Sequence, residues 1–121
     1  MPLREEGGGK LTPVPNALFD ALLPTLKDTE LRVLLVVLRA TNGWADAAGN
    51  GRKRRDWISS YQMQKRTGRG SEAVSAAVAA LVERGLVVAE NAQGESRTTP
   101  EQRRRHMGKL YYRFTSGSAM P

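Results

Sequence analysis

A chain of 121 residues with no cysteine holds one domain able to bury its own core, and it excludes a disulfide framework, thiol catalysis and thiolate metal sites. A single histidine, His106, excludes the common imidazole clusters, and apolar runs such as Val33 to Leu38 fall far short of the roughly 18 residues that span a membrane. The net charge of +7 is uneven: residues 1–51 carry five Lys/Arg against six Asp/Glu, and residues 52–113 carry fourteen against six, which points to a polyanion partner rewarded by counterion release.

The opening MPLREEGGGK is acidic and glycine-rich and has none of the apolar centre of a secretory signal, so a cytoplasmic protein is expected. Residues 1–11 read as a flexible arm, 12–114 as the folded domain and 115–121 as a flexible tail. After Pro13 and Pro15, Asn16 is placed to cap a short helix with apolar Leu18, Phe19, Leu22 and Leu23, closed by Pro24. Asp28 is placed to cap the next helix, with Glu30 in its first turn suiting the positive end of the dipole. From Leu31 to Leu38 nearly every position is apolar, which predicts a central strut covered on most sides. Asn42 and Gly43 form a stop, and Trp44 reads as a core anchor. ADAAGNGRKRR reads as an exposed loop.

Asp56 to Ser59 predicts a short strand with Trp57 in the core. Ser59 or Ser60 then caps a helix through Tyr61, Met63 and Arg66 that ends at Thr67 and Gly68. A second helix starts at Gly70 or Ser71, repeats Val74, Ala77, Val78, Leu81 and Val82 at helical spacing, and stops at Gly85. That apolar face must pack on the strut. Leu86 and Val88 alternate as one strand, and Leu110, Tyr112 and Phe114 as another, so the two can pair as a hairpin. Within the long connection from Asn91 to Gly108, Thr99-Pro100-Glu101-Gln102 spells a capping box with proline at the first helical position. A short turn presenting Arg103, Arg104 and Arg105 follows.

Helix, helix, short strand, helix, tight turn, helix, hairpin is the order of a winged helix-turn-helix, a mainly α fold with a small β-hairpin (α+β). In it one helix braces another against the phosphate backbone, the second enters the major groove and the hairpin reaches alongside. There is no phosphate-cradling glycine motif, nucleophile elbow or carboxylate pair with an evident role, so neither enzyme activity nor a cofactor, metal or small-molecule substrate is expected.

The segments TPVPNALFDALLPTL, DTELRVLLVVLRATNGW, DWISSYQMQKRTGRGSEAVSAAVAALVERGLV and GKLYYRF resemble the N-terminal winged-helix domain of the phage replication protein O family and related phage and plasmid initiators. The resemblance covers residues 12 to 114, and its most telling pieces are PNALFD, the apolar helix ending in TNGW, and the strand and helix ending in TG. It implies origin binding on double-stranded DNA, with a helicase or helicase loader as a further partner. It also implies that DNA contacts come from the turn before the reading helix and its first two turns: Arg69, Gly70, Ser71, Glu72, Ser75, Ala76 and Ala79.

Those positions are unusual in lacking a run of arginines. Arg69 can reach guanine or phosphate, Glu72 can accept from cytosine, and Ser71 and Ser75 can make short contacts, while the alanines offer only apolar surface. Affinity is therefore expected from flanking clusters: Arg52, Lys53, Arg54 and Arg55; Lys65, Arg66 and Arg69; and Arg97, Arg103, Arg104, Arg105 and Lys109. Tyr61 and Gln62 open the bracing helix, where helix N-termini favour phosphate. Alternation puts Tyr112 in the core and leaves Tyr111 the exposed one, and His106, beside three arginines, reads as an exposed wing residue. Two other readings stand beside this one: a transcriptional regulator binding an operator as a homodimer, and a protein adaptor using the alanine-rich helix face.

Overall fold

The computed structural model describes residues 11–44, 51 and 53–115. Four α-helices and a three-stranded antiparallel sheet form an α+β domain. Leu18–Leu22 is one turn of π-helix that runs into a 3₁₀ turn over Leu23–Thr25. Then come α1 (Asp28–Thr41), β1 (Asp56–Trp57), α2 (Ser60–Thr67), α3 (Ser71–Glu83), β2 (Val87–Glu90), α4 (Pro100–Arg105) and β3 (Tyr111–Phe114).

Helix α1 is the strut: Val33, Leu34, Val37 and Leu38 are fully buried and it packs against α2, α3 and the sheet. Each fully buried Leu or Val adds roughly 1.5–3 kcal/mol of apolar transfer free energy. The strut is not covered all round, since Leu35 remains exposed. Val74, Ala77, Val78 and Leu81 of α3 close the core from the other side. Gly68 and Gly85 follow α2 and α3 with φ of 71° and 73°, the left-handed region that side chains rarely adopt.

Several expectations require correction. Asn16 does not stand outside the first turn as its cap but is itself helical. Pro24 does not close that turn; it sits in the 3₁₀ continuation, where the first-turn amide is unpaired anyway. Asp28 is the first residue of α1 rather than its cap, which falls at Lys27, whose amide donates to Glu30 Oε1 at 3.0 Å. In β2 the inward residues are Val87 and Ala89, not Val88. Leu86 is already tucked under α3, its amide bonded to the Leu81 carbonyl at 3.0 Å; two consecutive residues are therefore buried before alternation starts.

The register pairs Val87 with Phe114, Val88 with Arg113, Ala89 with Tyr112 and Glu90 with Tyr111. The free edge of β3 takes β1, Asp56 opposite Tyr112 and Trp57 opposite Tyr111, giving the order β1-β3-β2. After Glu90 the chain doubles back: the Asn91 side-chain oxygen accepts from the amides of Gln93 and Glu95 at 3.0 and 2.8 Å, and the Arg97 amide reaches the Ala89 carbonyl at 2.7 Å. This side-chain-built turn pins the start of the long connection to β2.

Candidate nucleic-acid interface

Helix α2 begins with the reciprocal cap that its sequence spells: Ser59 Oγ accepts from the Gln62 amide at 3.1 Å, and Gln62 Oε1 accepts from the Ser59 amide at 3.2 Å. That bond fixes Gln62, while Tyr61 stands 71% exposed. Helix α3 follows Gly70, which supplies no side-chain cap, so no cap side chain satisfies its first amides at the positive end of the helix dipole. Ser71, Glu72, Ser75 and Ala76 are exposed along this helix.

Helix α4 is capped by Thr99, whose Oγ1 accepts from the Gln102 amide at 3.1 Å. A groove of about 450 Å³ runs between α4, α3 and the start of α2. Ser59, Ser60, Ser71 and Ser75 supply hydroxyls, and Arg104, His106 and Lys109 supply cationic or ring groups to the same groove. Beside it, Arg97, Arg105, His106 and Lys109 line a second open hollow of about 760 Å³. Between them these two surfaces gather Ser71, Ser75, Arg97, Arg104, Arg105 and Lys109.

Arg103 behaves differently from its neighbours. The turn does not present three guanidinium groups, because Arg103 points inward: its Nη1 donates to the carbonyls of Arg97 and Thr98, each at 3.0 Å. Its Nη2 is buried without a hydrogen-bond partner. Burial lowers the pKa of this guanidinium, and the neighbouring Tyr112 offsets part of that effect. Burial likewise raises the Tyr112 phenol above its ordinary value of 10.0, against a smaller opposing pull from Arg103.

That shift has a sign. Because the folded phenol holds its proton longer than the unfolded one, its contribution is complete below about pH 10 and is lost as pH rises from there through the raised folded value. Urea-unfolding midpoints should thus fall more steeply above about pH 10 in the native protein than in Tyr112→Phe. Equal slopes would show that Tyr112 titrates as freely as in the unfolded chain.

Several other cations serve the fold. Arg55 donates to Glu90 Oε2 at 3.3 Å and to the carbonyls of Asn91 and Ala92 at 3.0 and 2.9 Å. Lys53 pairs with Asp56 at 2.8 Å. Arg69 Nη2 lies 2.6 Å from Asp28 Oδ2, and Arg32 holds the same oxygen at 3.0 Å. The hydrogen bond from Arg69 is the largest cause of a lowered Asp28 pKa, so the carboxylate is ionised at neutral pH. Arg66 lines a different hollow with Arg32, Leu35, Arg39 and Trp44. Lys65 and Glu72 are exposed. Exposed Arg54 shares the hollow of Lys53, Arg55, Glu90 and Arg113, and Arg52 lies outside the described residues.

The Asp28 pair yields a test. Asp28→Asn should release Arg69 beside the start of α3, tighten binding to duplex DNA several-fold and steepen its salt dependence by about one unit of slope. Unchanged affinity and slope would show that Arg69 reaches no phosphate.

Both tryptophans depart from the expected core placement: Trp44 is 39% and Trp57 38% exposed. Each carries a cation over its ring, Arg39 at 5.5 Å from the Trp44 centroid and Lys109 at 5.0 Å from that of Trp57. Long cationic side chains can cover ring surface in place of a core. Arg113 was not among the expected contacts, although the alternation Lys109, Tyr111, Arg113 in KLYYRF places all three on one strand face. Among the described residues no group of three His, Asp or Glu could hold a metal ion, and no helix is long and apolar enough to cross a membrane. Comparison with protein-family models, curated proteins and solved structures finds no match, so the functional reading stands on this geometry and on the sequence pattern.

Proposed function

We propose that the chain binds double-stranded DNA as a winged helix-turn-helix, with α3 in the major groove, α2 bracing it and α4 with the β2–β3 hairpin alongside as the wing. The observation that carries the reading is the shared groove: the exposed serines of α3 and the start of α2 face Arg104 and Lys109 across it, with Arg105 in the adjoining hollow. Small residues let the α3 backbone approach the duplex closely. Guanidinium and ammonium groups from the wing then hold the phosphates, which supplies affinity without sequence information. Selectivity comes from Ser71, Glu72 and Ser75 and from the shape of the groove they enter.

The process we propose is initiation of phage or plasmid-type DNA replication, with a helicase or helicase loader as partner, on the strength of the resemblance in PNALFD, TNGW and the TG-ended helix. Duplex affinity measured across a salt series tests the binding itself. The logarithm of the association constant should fall linearly with the logarithm of salt concentration, by about 0.9 for each phosphate held. Salt-insensitive binding, or none at moderate salt, would overturn the reading in favour of a protein-docking role for α3.

A further inference from the structure

The sheet has one face on the core and one turned away from it. Directly opposed residues in antiparallel strands share a face, and residues two apart along a strand share it as well. The pairing of Trp57 with Tyr111 and of Tyr111 with Glu90 therefore sets Trp57, Tyr111 and Glu90 in one row on the face opposite Tyr112. Lys109 and Arg113 flank Tyr111 on that face, and Arg55 precedes Trp57 on it. Two aromatic rings thus stand side by side, Trp57 under the Lys109 ammonium at 5.0 Å and Tyr111 under the Arg55 guanidinium at 4.5 Å.

We infer that this outer sheet face is a binding site for single-stranded DNA, in which unpaired bases stack on Trp57 and on the Arg55 guanidinium that covers Tyr111 while Lys109 and Arg113 hold the backbone. The inference takes its polymer from the duplex-binding reading; its rings stand on the sheet, but Trp57 and Lys109 also border the α3–α4 groove, so the two sites adjoin. A duplex keeps its bases stacked and offers no ring to Trp57, whereas a separated strand offers one at every nucleotide. Three cations, Arg55, Lys109 and Arg113, share this face with one carboxylate, Glu90, which both arginines hold. The excess charge is therefore positive beside the rings. Lys109 is exposed, and its flexible stem allows it to leave the Trp57 ring for a phosphate as a base takes its place. A site of this kind would let the protein hold one strand after a duplex is opened.

The chain has two tryptophans, so Trp44→Phe leaves Trp57 as the sole indole reporter. In that background, titration with an oligodeoxythymidylate should quench tryptophan emission, because a stacked base quenches an indole, and the same sequence as a duplex should leave it nearly unchanged. Trp57→Ala and Tyr111→Ala should each weaken oligodeoxythymidylate binding about tenfold. Tyr111→Ala, which changes no residue lining the α3–α4 groove, should leave duplex affinity within about twofold, which also shows that this variant is folded. Lys109→Gln should lower the single-strand salt slope by about 0.7. Absent quenching with bound single strand, or equal losses for both polymers on changing Tyr111, would overturn the site. Loss of duplex binding alone, with quenching intact, would instead remove the α3 reading and leave this face standing.

Discussion

Changing Arg104 and Arg105 together to alanine should weaken duplex binding roughly thirtyfold near physiological salt and reduce the salt slope by about two units. Both side chains are exposed on α4, and neither makes a salt bridge among the described residues. Their charge is free to displace counterions from phosphate, and their loss leaves the folded core untouched. The Thr99 and Gln102 cap that holds α4 is retained in this variant, so helical circular dichroism should be unchanged. Arg103 is deliberately spared: it holds the Arg97 and Thr98 carbonyls, and removing it would loosen the wing and confuse a lost contact with a lost structure. Arg66→Ala, in the separate hollow on α1 and α2, serves as the contrasting variant and should change duplex affinity by less than about twofold. Equal effects of the two variants would show that binding is a diffuse consequence of net charge.

The second large effect is on stability, and it follows from a buried carboxylate on the sheet. Glu90 is only 6% exposed, yet it accepts from Arg113 Nε at 2.8 Å and from Arg55 Nη1 at 3.3 Å. Glu90→Ala would leave two partly buried guanidinium groups facing each other with no counter-charge. Breaking a buried pair in this way costs about 3 kcal/mol, and the partial exposure of both arginines keeps the figure from the top of the usual range. Arg55 would keep its bonds to the Asn91 and Ala92 carbonyls, so the strand connection should survive as a weakened rather than an absent feature. Glu90→Gln keeps an acceptor in place and should cost about half as much. Urea unfolding of both variants decides the matter; a loss under about 1 kcal/mol for Glu90→Ala would mean that the two arginines turn to water without penalty.

The local grammar of the chain was legible wherever a single residue type has one strong use. The cap at Ser59, the box at Thr99 and Gln102, and the stops at Gly68 and Gly85 are fixed by neighbours within four residues, and the structure has them as expected. The core face of α3 was legible for the same reason, because its period is local. What the sequence did not disclose depends on where the chain returns in space. Nothing within reach of Trp57 along the chain says that it will stand opposite Tyr111 on an outward face, nor that Lys109 will cover its ring. The phase of β2 slipped by one because Leu86 is drawn under α3 by the turn at Gly85, a tertiary demand that overrides simple alternation.

Charge was the least legible part of the candidate site. In sequence, RKRR and RRR look like uniform blocks of cations, but the fold sorts them one by one. Lys53 faces Asp56, Arg55 faces Glu90, Arg103 faces two carbonyls, and Arg104 and Arg105 remain outside. Arg69, adjacent to the reading helix, is held by an aspartate 41 residues away. The acidic partners were present in the sequence, but pairing over such distances follows only from topology. A block of like charge therefore overstates the number of groups available to a polyanion.

The most direct measurement is residue-by-residue mapping by amide chemical shifts as a short duplex is added at moderate salt. The account predicts that the largest changes fall on Ser71 and Ser75 at the start of α3, on Ser60 and Tyr61 at the start of α2, and on Arg104, Arg105 and Lys109 in the wing. Changes centred instead on Arg32, Leu35, Arg39 and Arg66, with the α3–α4 groove silent, would contradict it.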